Sequence, residues 1–189
     1  MNASGFIMRF AAAAALCASL FACSTPGHHR ISRPLDSGAA FSRGDSFYVA
    51  SANNGIYSET EYPFSGFETA SAAYSALSGL SSRVGKSVGI KSLDAALKEA
   101  REGGFKILFM CEILHWEDRA SGFSGVPDRA EVKVSAVEVS TGKVLDCAVI
   151  EAVGTDASFS SVRPADLIRA PISEYARSLF KNTENTIQK

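Results

Sequence analysis

The sequence predicts one α/β domain in which helices pack on a mixed sheet, with elements in the order β-α-β-α-β-β-β-α. Three observations point there. Residues 65–85 and 93–102 carry apolar side chains at helical spacing, and each stretch stands between short β-rich runs. Residues 105–139 read as a long antiparallel hairpin, and Ser140-Thr141-Gly142 then turns the chain into a further strand. Two right-handed crossovers followed by a meander satisfy that order. At 189 residues, 46% hydrophobic and 21% charged, the chain has room for one sizeable core.

Residues 1–22 read as a signal peptide. Arg9 supplies a positive start, and Phe10 to Ala22 is an apolar run too short to span a bilayer. Leu20-Phe21-Ala22-Cys23 closes the run and is similar to a lipobox, with small Ala22 before Cys23, although Phe21 is bulkier than usual there. By resemblance to bacterial lipoproteins, Cys23 is the expected lipid attachment site, carrying a diacylglyceryl thioether and an acylated amino group. Ser24 in place of Asp points to the outer membrane, with the domain in the periplasm. Residues 23–44 are rich in Pro, Gly, Ser, His and Arg without apolar periodicity, so they read as a flexible tether. His28-His29 lies there, and two adjacent histidines lack the further ligands of a metal site. The formal charge is −1 and becomes −2 without Arg9, which argues for no nucleic-acid partner.

The domain is expected over residues 45–181, with 182–189 a frayed tail. Asp45 to Ala52 is the first strand and Asn53-Asn54-Gly55 a turn. Ser65 and Glu68 have capping-box spacing, and Phe67, Ala70, Tyr74, Leu77, Leu80 and Val84 recur on one face up to Gly85. Ser87 to Ile90 is a short strand. Ser92 then caps a helix with Asp94 early, Arg101 late and Gly103-Gly104 past its end. Near the C-terminus, a turn at Pro164 to Arg169 precedes a helix from about Pro171 to Phe180.

Charge sets the expected hairpin register, because like charges should not be directly opposed. Placing Arg119 opposite Glu131 also sets Glu117 opposite Lys133, His115 opposite Ser135 and Trp116 opposite Val134. It leaves Glu112 facing Glu138, and a bulge at Ala136-Val137 fits the slipped alternation there. One sheet face then bears Leu114, Trp116, Val132, Val134 and Ile150, and the other Cys111, Ile113, Val137, Val139, Leu145 and Val149. Both faces are too apolar to stay wet, so the second needs a helix, another copy or a partner. Cys111 and Cys147 fall two strands apart and are expected to be free buried thiols.

His115 and Glu117 share a strand face, but no HExxH, paired cysteines or carboxylate-rich loop completes a metal site, and no G-x-S-x-G elbow or Walker loop is present. No catalytic residue and no cofactor is therefore expected. The motif HWEDR…PDR resembles the bacterial lipoprotein family catalogued as domain of unknown function 4823, and the resemblance extends to NGIYSETEYPFSG, SLDAALKEAREGG and the C-terminal segment. It marks His115, Trp116, Glu117, Asp118, Arg119, Pro127, Asp128 and Arg129 as a candidate surface, and implies no activity. In architecture the layout is similar to the α/β domain of the Tol translocation protein and of the curli- and Pel-export lipoproteins. The expected function is a non-enzymatic envelope component held by its lipid and able to self-associate or to bind an envelope protein. The alternative is a periplasmic binding module for a small molecule or envelope polymer.

Overall fold

A computed structural model describes residues 27–36, 38–119, 126–155 and 162–180. The predicted signal peptide, Cys23 and the frayed tail lie outside them. The strands are β1 (His28–Asp36), β2 (Ser46–Ser51), β3 (Gly55–Tyr57), β4 (Thr60–Tyr62), β5 (Arg83–Ile90), β6 (Ile107–Glu117), β7 (Arg129–Glu138) and β8 (Val144–Val153). The helices are α1 (Ser65–Ser78), α2 (Leu93–Glu102), α3 (Pro164–Leu167) and α4 (Arg169–Ser178). Six strands form one sheet in the order β1-β8-β7-β6-β2-β5, and β3 and β4 make a separate hairpin. Strand β2 pairs in parallel with β5 and β6, while β6-β7, β7-β8 and β8-β1 are antiparallel.

The crossover through α1 runs from β2 to β5, and the one through α2 runs back past β2 to β6. Because the two travel in opposite directions, equal handedness requires their helices on opposite faces. That is the arrangement seen. Helices α1, α3 and α4 cover the main core, built on Phe47, Val49, Phe109, Trp116, Val132, Val134 and Ile150. On the other face α2 seals a smaller cluster of Ala50, Leu108, Met110, Val137 and Val139 through Ala96 and Ala100. The second face is thus closed at one end within the monomer, and its remaining surface is mostly polar: Glu112, His115, Glu131, Lys133 and Glu151 are each only partly buried, with Val149 and Val153 beside them.

Residues 28–36, read from sequence as part of a tether, are instead the edge strand β1, so the folded unit begins ahead of residue 45. Only Ile31 packs an apolar side chain against the core, which is why no alternation marks the strand. Its attachment is polar. A bulge between Ser32 and Leu35 accommodates Pro34 at the open edge, and Arg33 Nη2 reaches Asp146 Oδ2 at 2.5 Å. Asp146 has no solvent exposure and also accepts 2.8 Å from the Tyr175 hydroxyl, whose pKa is pushed up by burial and by that carboxylate.

Helix α1 ends at Ser78, with β5 beginning at Arg83, so the helical reading up to Gly85 and the strand start at Ser87 are both corrected. The expected capping box does not form. Ser65 Oγ accepts from Gly55 N at 2.8 Å and donates to the Tyr62 carbonyl at 2.7 Å, so it is committed to the loop below the helix. The buried residues of α1 are Ser65, Gly66, Thr69, Ala70, Ala72, Ala73 and Leu77, of which Ala70 and Leu77 were expected inside; Phe67 and Tyr74, also expected inside, are exposed and stack on Lys86. Small residues win because the helix lies close to the chain beneath it: a Cβ on Gly66 would strike Asn53 and Ile90. Ser92 caps α2 as expected, accepting from Ala95 N, and α4 carries Pro171 in its first turn.

The hairpin register differs from expectation by four residues from His115 outward and by five from Ile113 inward. His115 opposes Glu131, Trp116 opposes Ala130 and Glu117 opposes Arg129, so Arg119–Glu131 and Glu117–Lys133 are not cross-strand pairs. Glu112 faces Lys133, with 3.2 Å between their charged atoms, and the like-charge clash with Glu138 disappears. A shift between Ile113 and His115 makes Leu114 an extra residue. It turns Leu114 to solvent and brings Cys111, Ile113 and Trp116 onto one face, where the sequence alternation had separated them. The bulge expected in the hairpin at Ala136-Val137 is not there, since Phe109–Ala136 and Leu108–Val137 pair consecutively; the shift at that level lies between β7 and β8, where Leu145 is the extra residue, and Leu145 packs on the main core rather than on the second face. Cys147 opposes Ser135 while Cys111 opposes Val134, which directs the two thiols to opposite faces; both are free and buried. Burial pushes the Cys111 thiol up to about 12.

Arg33→Leu leaves Asp146 buried without its cation and is expected to destabilise the fold by roughly 3–5 kcal/mol in urea denaturation. The double variant Arg33→Leu, Asp146→Leu should recover much of that loss, since it removes the buried charge as well.

Candidate polar site at the end of the long hairpin

The site begins with the bulge. Beyond Cys111, strand β2 no longer lies beside β6, and the side chain of Asn53 takes its place: Nδ2 donates to the Ile113 carbonyl at 2.8 Å, and Oδ1 accepts from Ile113 N at 2.9 Å. These two bonds hold β6 where the extra residue Leu114 rotates the strand. Trp116 therefore enters the core, 2% exposed, and His115 and Glu117 point to the opposite face. The β3-β4 hairpin closes against this segment, through a tight turn in which Ser58 and Glu59 both take positive φ. Gly55 is required there, because any Cβ would collide with Trp116.

Glu117 is the centre of the polar cluster. It forms an ion pair with Arg119, and its Oε2 lies 3.2 Å from His115 Nε2. Tyr57 of β3 stacks edge-on to His115, with ring centres 5.5 Å apart, and its hydroxyl accepts from Arg119 Nη2 at 3.3 Å. From the β7 side, Asp128 Oδ1 accepts from Arg119 N at 2.7 Å. The Asp118 carbonyl accepts from Tyr62 at 3.2 Å. Burial raises the pKa of Asp128, the Arg119 amide bond opposes that rise, and nearby Asp118 adds to it. Asp128 Oδ2 and Arg119 Nε make no hydrogen bond among the described residues.

Of the residues marked from sequence, His115, Glu117, Arg119 and Asp128 converge. Trp116 faces the other way, Asp118 contributes its main chain, Pro127 is half-buried, and Arg129 is exposed opposite Glu117. Tyr57 and Asn53 were missed. The only sequence signal for Asn53 is its place in a turn, where a cross-strand clamp has no distinguishing spacing. Chemically, the cluster presents one half-exposed imidazole on a carboxylate whose charge is offset by Arg119. Among the described residues no group of three or more His, Cys, Asp or Glu could hold a metal ion. An open groove of about 490 Å³ lies at the opposite end of the sheet, bordered by Asp45, Arg101, Lys106 and Glu138. Its cations are engaged: Arg101 donates to the Val139 carbonyl, and Lys106 lies 3.4 Å from Asp45.

A six-stranded mixed sheet with one helix on one face and three on the other is an α/β fold shared with several solved structures. PelC of Paraburkholderia phytofirmans, solved as a dodecamer, shares it at a TM-score of 0.56 and 22% identity, over 80% of this chain and 91% of that one. A point variant of the same dodecamer in a second crystal form gives 0.60 and 22%, over 81% and 97%. Lipoprotein GNA1162 of Neisseria meningitidis matches at 0.45 and 14%, over 70% and 99%. No curated protein matches the sequence. The chain belongs to the family described as Domain of unknown function (DUF4823), which it matches over residues 39–179.

Three substitutions separate core from polar cluster. Trp116→Ala is expected to cost ~3–5 kcal/mol, and His115→Ala no more than ~1 kcal/mol, both read by chemical denaturation. Asp128 supplies the pH test. Its folded pKa is raised, so the native state binds the extra proton between the ordinary carboxylate pKa and the raised value, and stability falls as pH rises through that window. Asp128→Asn keeps the Oδ1 acceptor without the charge. It should therefore match the parent at low pH and equal or exceed it at pH 7.

Proposed function

We propose that this protein is a lipoprotein of the outer membrane, anchored through acylated Cys23 with its domain in the periplasm, and that it works as a non-enzymatic, self-associating component of the envelope. The observation that carries the self-association is the open edge at β5. Between Lys86, paired with Val49, and Ile90, paired with Ser51, strand β5 holds two more residues than β2. The surplus pushes Val88 outward, where it is 90% exposed, beside the partly exposed Ile90 and Phe67. An apolar side chain projecting from an unpaired strand edge is the kind of surface that a further protein chain covers. The fold shared with PelC, a dodecamer, supports another copy of this chain in that place.

The polar cluster fits this reading as structure, since Glu117 is engaged by Arg119 and His115, and Asp128 Oδ1 by the Arg119 amide. The alternative of a periplasmic binding module rests on the groove near Arg101 and Lys106, where a ligand would have to displace existing partners.

Mass measurement of the lipidated protein in detergent should give an assembly larger than one chain, reduced to the monomer by Val88→Glu. A wild-type monomer at every concentration would end the self-association reading. Cys23→Ser should leave the membrane fraction or accumulate as uncleaved precursor, because acyl chains supply the anchoring; retention of a normally processed variant would remove the lipid anchor.

A further inference from the structure

We infer that the end of the sheet carrying the HWEDR and PDR residues lies against the membrane, and that a phospholipid surface is the occupant of that end. The inference rests on the acylation of Cys23 proposed above and adds an orientation to it. Strand β1 starts at His28, five residues after Cys23, so the chain between them can span no more than ~18 Å. His28 is opposite Val153, Val153 opposite Arg129, and Arg129 opposite Glu117, so these four residues form one rung across β1, β8, β7 and β6. At a strand spacing of ~4.8 Å the whole rung is only ~14 Å wide. An anchor held that close to its first residue brings the rest of the same end down with it.

What this end exposes suits a lipid interface. Ile56 is 65% exposed, Phe64 73% and Val126 46%, and all three belong to segments packed around the end of β6. Gly55 abuts Trp116, and Tyr62 bonds Asp118, which places the β3-β4 hairpin and the start of α1 there. Arg129 is exposed on the rung, and Arg163 reaches Glu68 in the first turn of α1. Aliphatic and aromatic side chains can enter the headgroup region while arginines meet phosphate oxygens. Glu59, Glu61 and Asp118 share this end, so insertion of apolar side chains, not net charge, is the attraction.

The protein carries its own probe, since Trp116 is its single tryptophan and lies one rung in from this end. The lipidated full chain is reconstituted into vesicles of phosphatidylethanolamine and phosphatidylglycerol containing dansyl-phosphatidylethanolamine, and energy transfer from Trp116 is recorded beside co-flotation. Wild type should float and sensitise dansyl emission strongly. A variant with a long Gly-Ser spacer after Cys23 together with Ile56→Glu and Phe64→Glu should float equally well and lose most of the transfer. Wild type that floats without transfer overturns the orientation, as does undiminished transfer in the variant. Wild type that fails to float removes the lipid anchor itself, and this orientation with it.

Discussion

The extra residue in β6 is the constraint on which the rest of the molecule depends. An 11-residue strand that kept strict alternation would send Cys111, Ile113 and His115 to one face and Glu112, Leu114 and Trp116 to the other. Trp116 would then sit among the polar side chains, and His115 and Glu117 would be forced into the main core. Rotation at Leu114 exchanges the two, and the Asn53 amide secures the rotation by supplying the two bonds that a neighbouring strand would have made. A buried carbonyl or amide left without those bonds would cost about 1–3 kcal/mol, so clamp and bulge form one unit. The close approach of Gly55 to Trp116, the seating of the β3-β4 hairpin and the grouping of Glu117, Arg119 and Asp128 all follow from it.

Much of the domain was legible because its segments announce themselves locally. Ser92, Asp94, Arg101 and the paired glycines delimit α2 without reference to anything distant, and Ser140-Thr141-Gly142 with Gly142 at φ 73° makes the turn its composition implies. The apolar pair Ala136-Val137 misled, because it marks no bulge in β7 but a stretch buried on both faces, Ala136 in the main core and Val137 under α2. Register was not legible. Opposed charges can be satisfied in several offsets differing by an even number, and the true one depends on where the bulge falls. Strand β1 was hidden for a different cause, since an edge strand held by Arg33 and Arg30 to Asp146 and Glu151 has the composition of a linker.

The face of α1 shows how tertiary contact overrides periodicity. Phe67 and Tyr74 have helical spacing and high hydrophobicity, yet the helix turns its alanines and glycine inward because the β2-β3 connection runs directly beneath it. Large rings do not fit in that gap. They are displaced to the β5 side, where Lys86 lies 4.0 Å from the Phe67 ring centre and meets the negative face of the aromatic system. Aromatic residues excluded from a monomer's core in this way are partly paired with a cation and partly available to a neighbour.

The two edges of the sheet consequently differ in character. Strand β1 is bulged around a proline, and its arginines pair back onto β8 and Asp146, devices that discourage addition of another strand. Strand β5 carries no proline and projects Val88 beyond its own ladder. A sheet with one protected edge and one open edge cannot grow indefinitely by strand pairing at both ends. A second copy meeting the β5 edge with its own β5 edge would close at once into a two-fold pair, whereas one meeting it with a different surface would repeat head to tail into a ring or a filament. The asymmetry that β1 creates by closing one side therefore restricts strand addition to the other side.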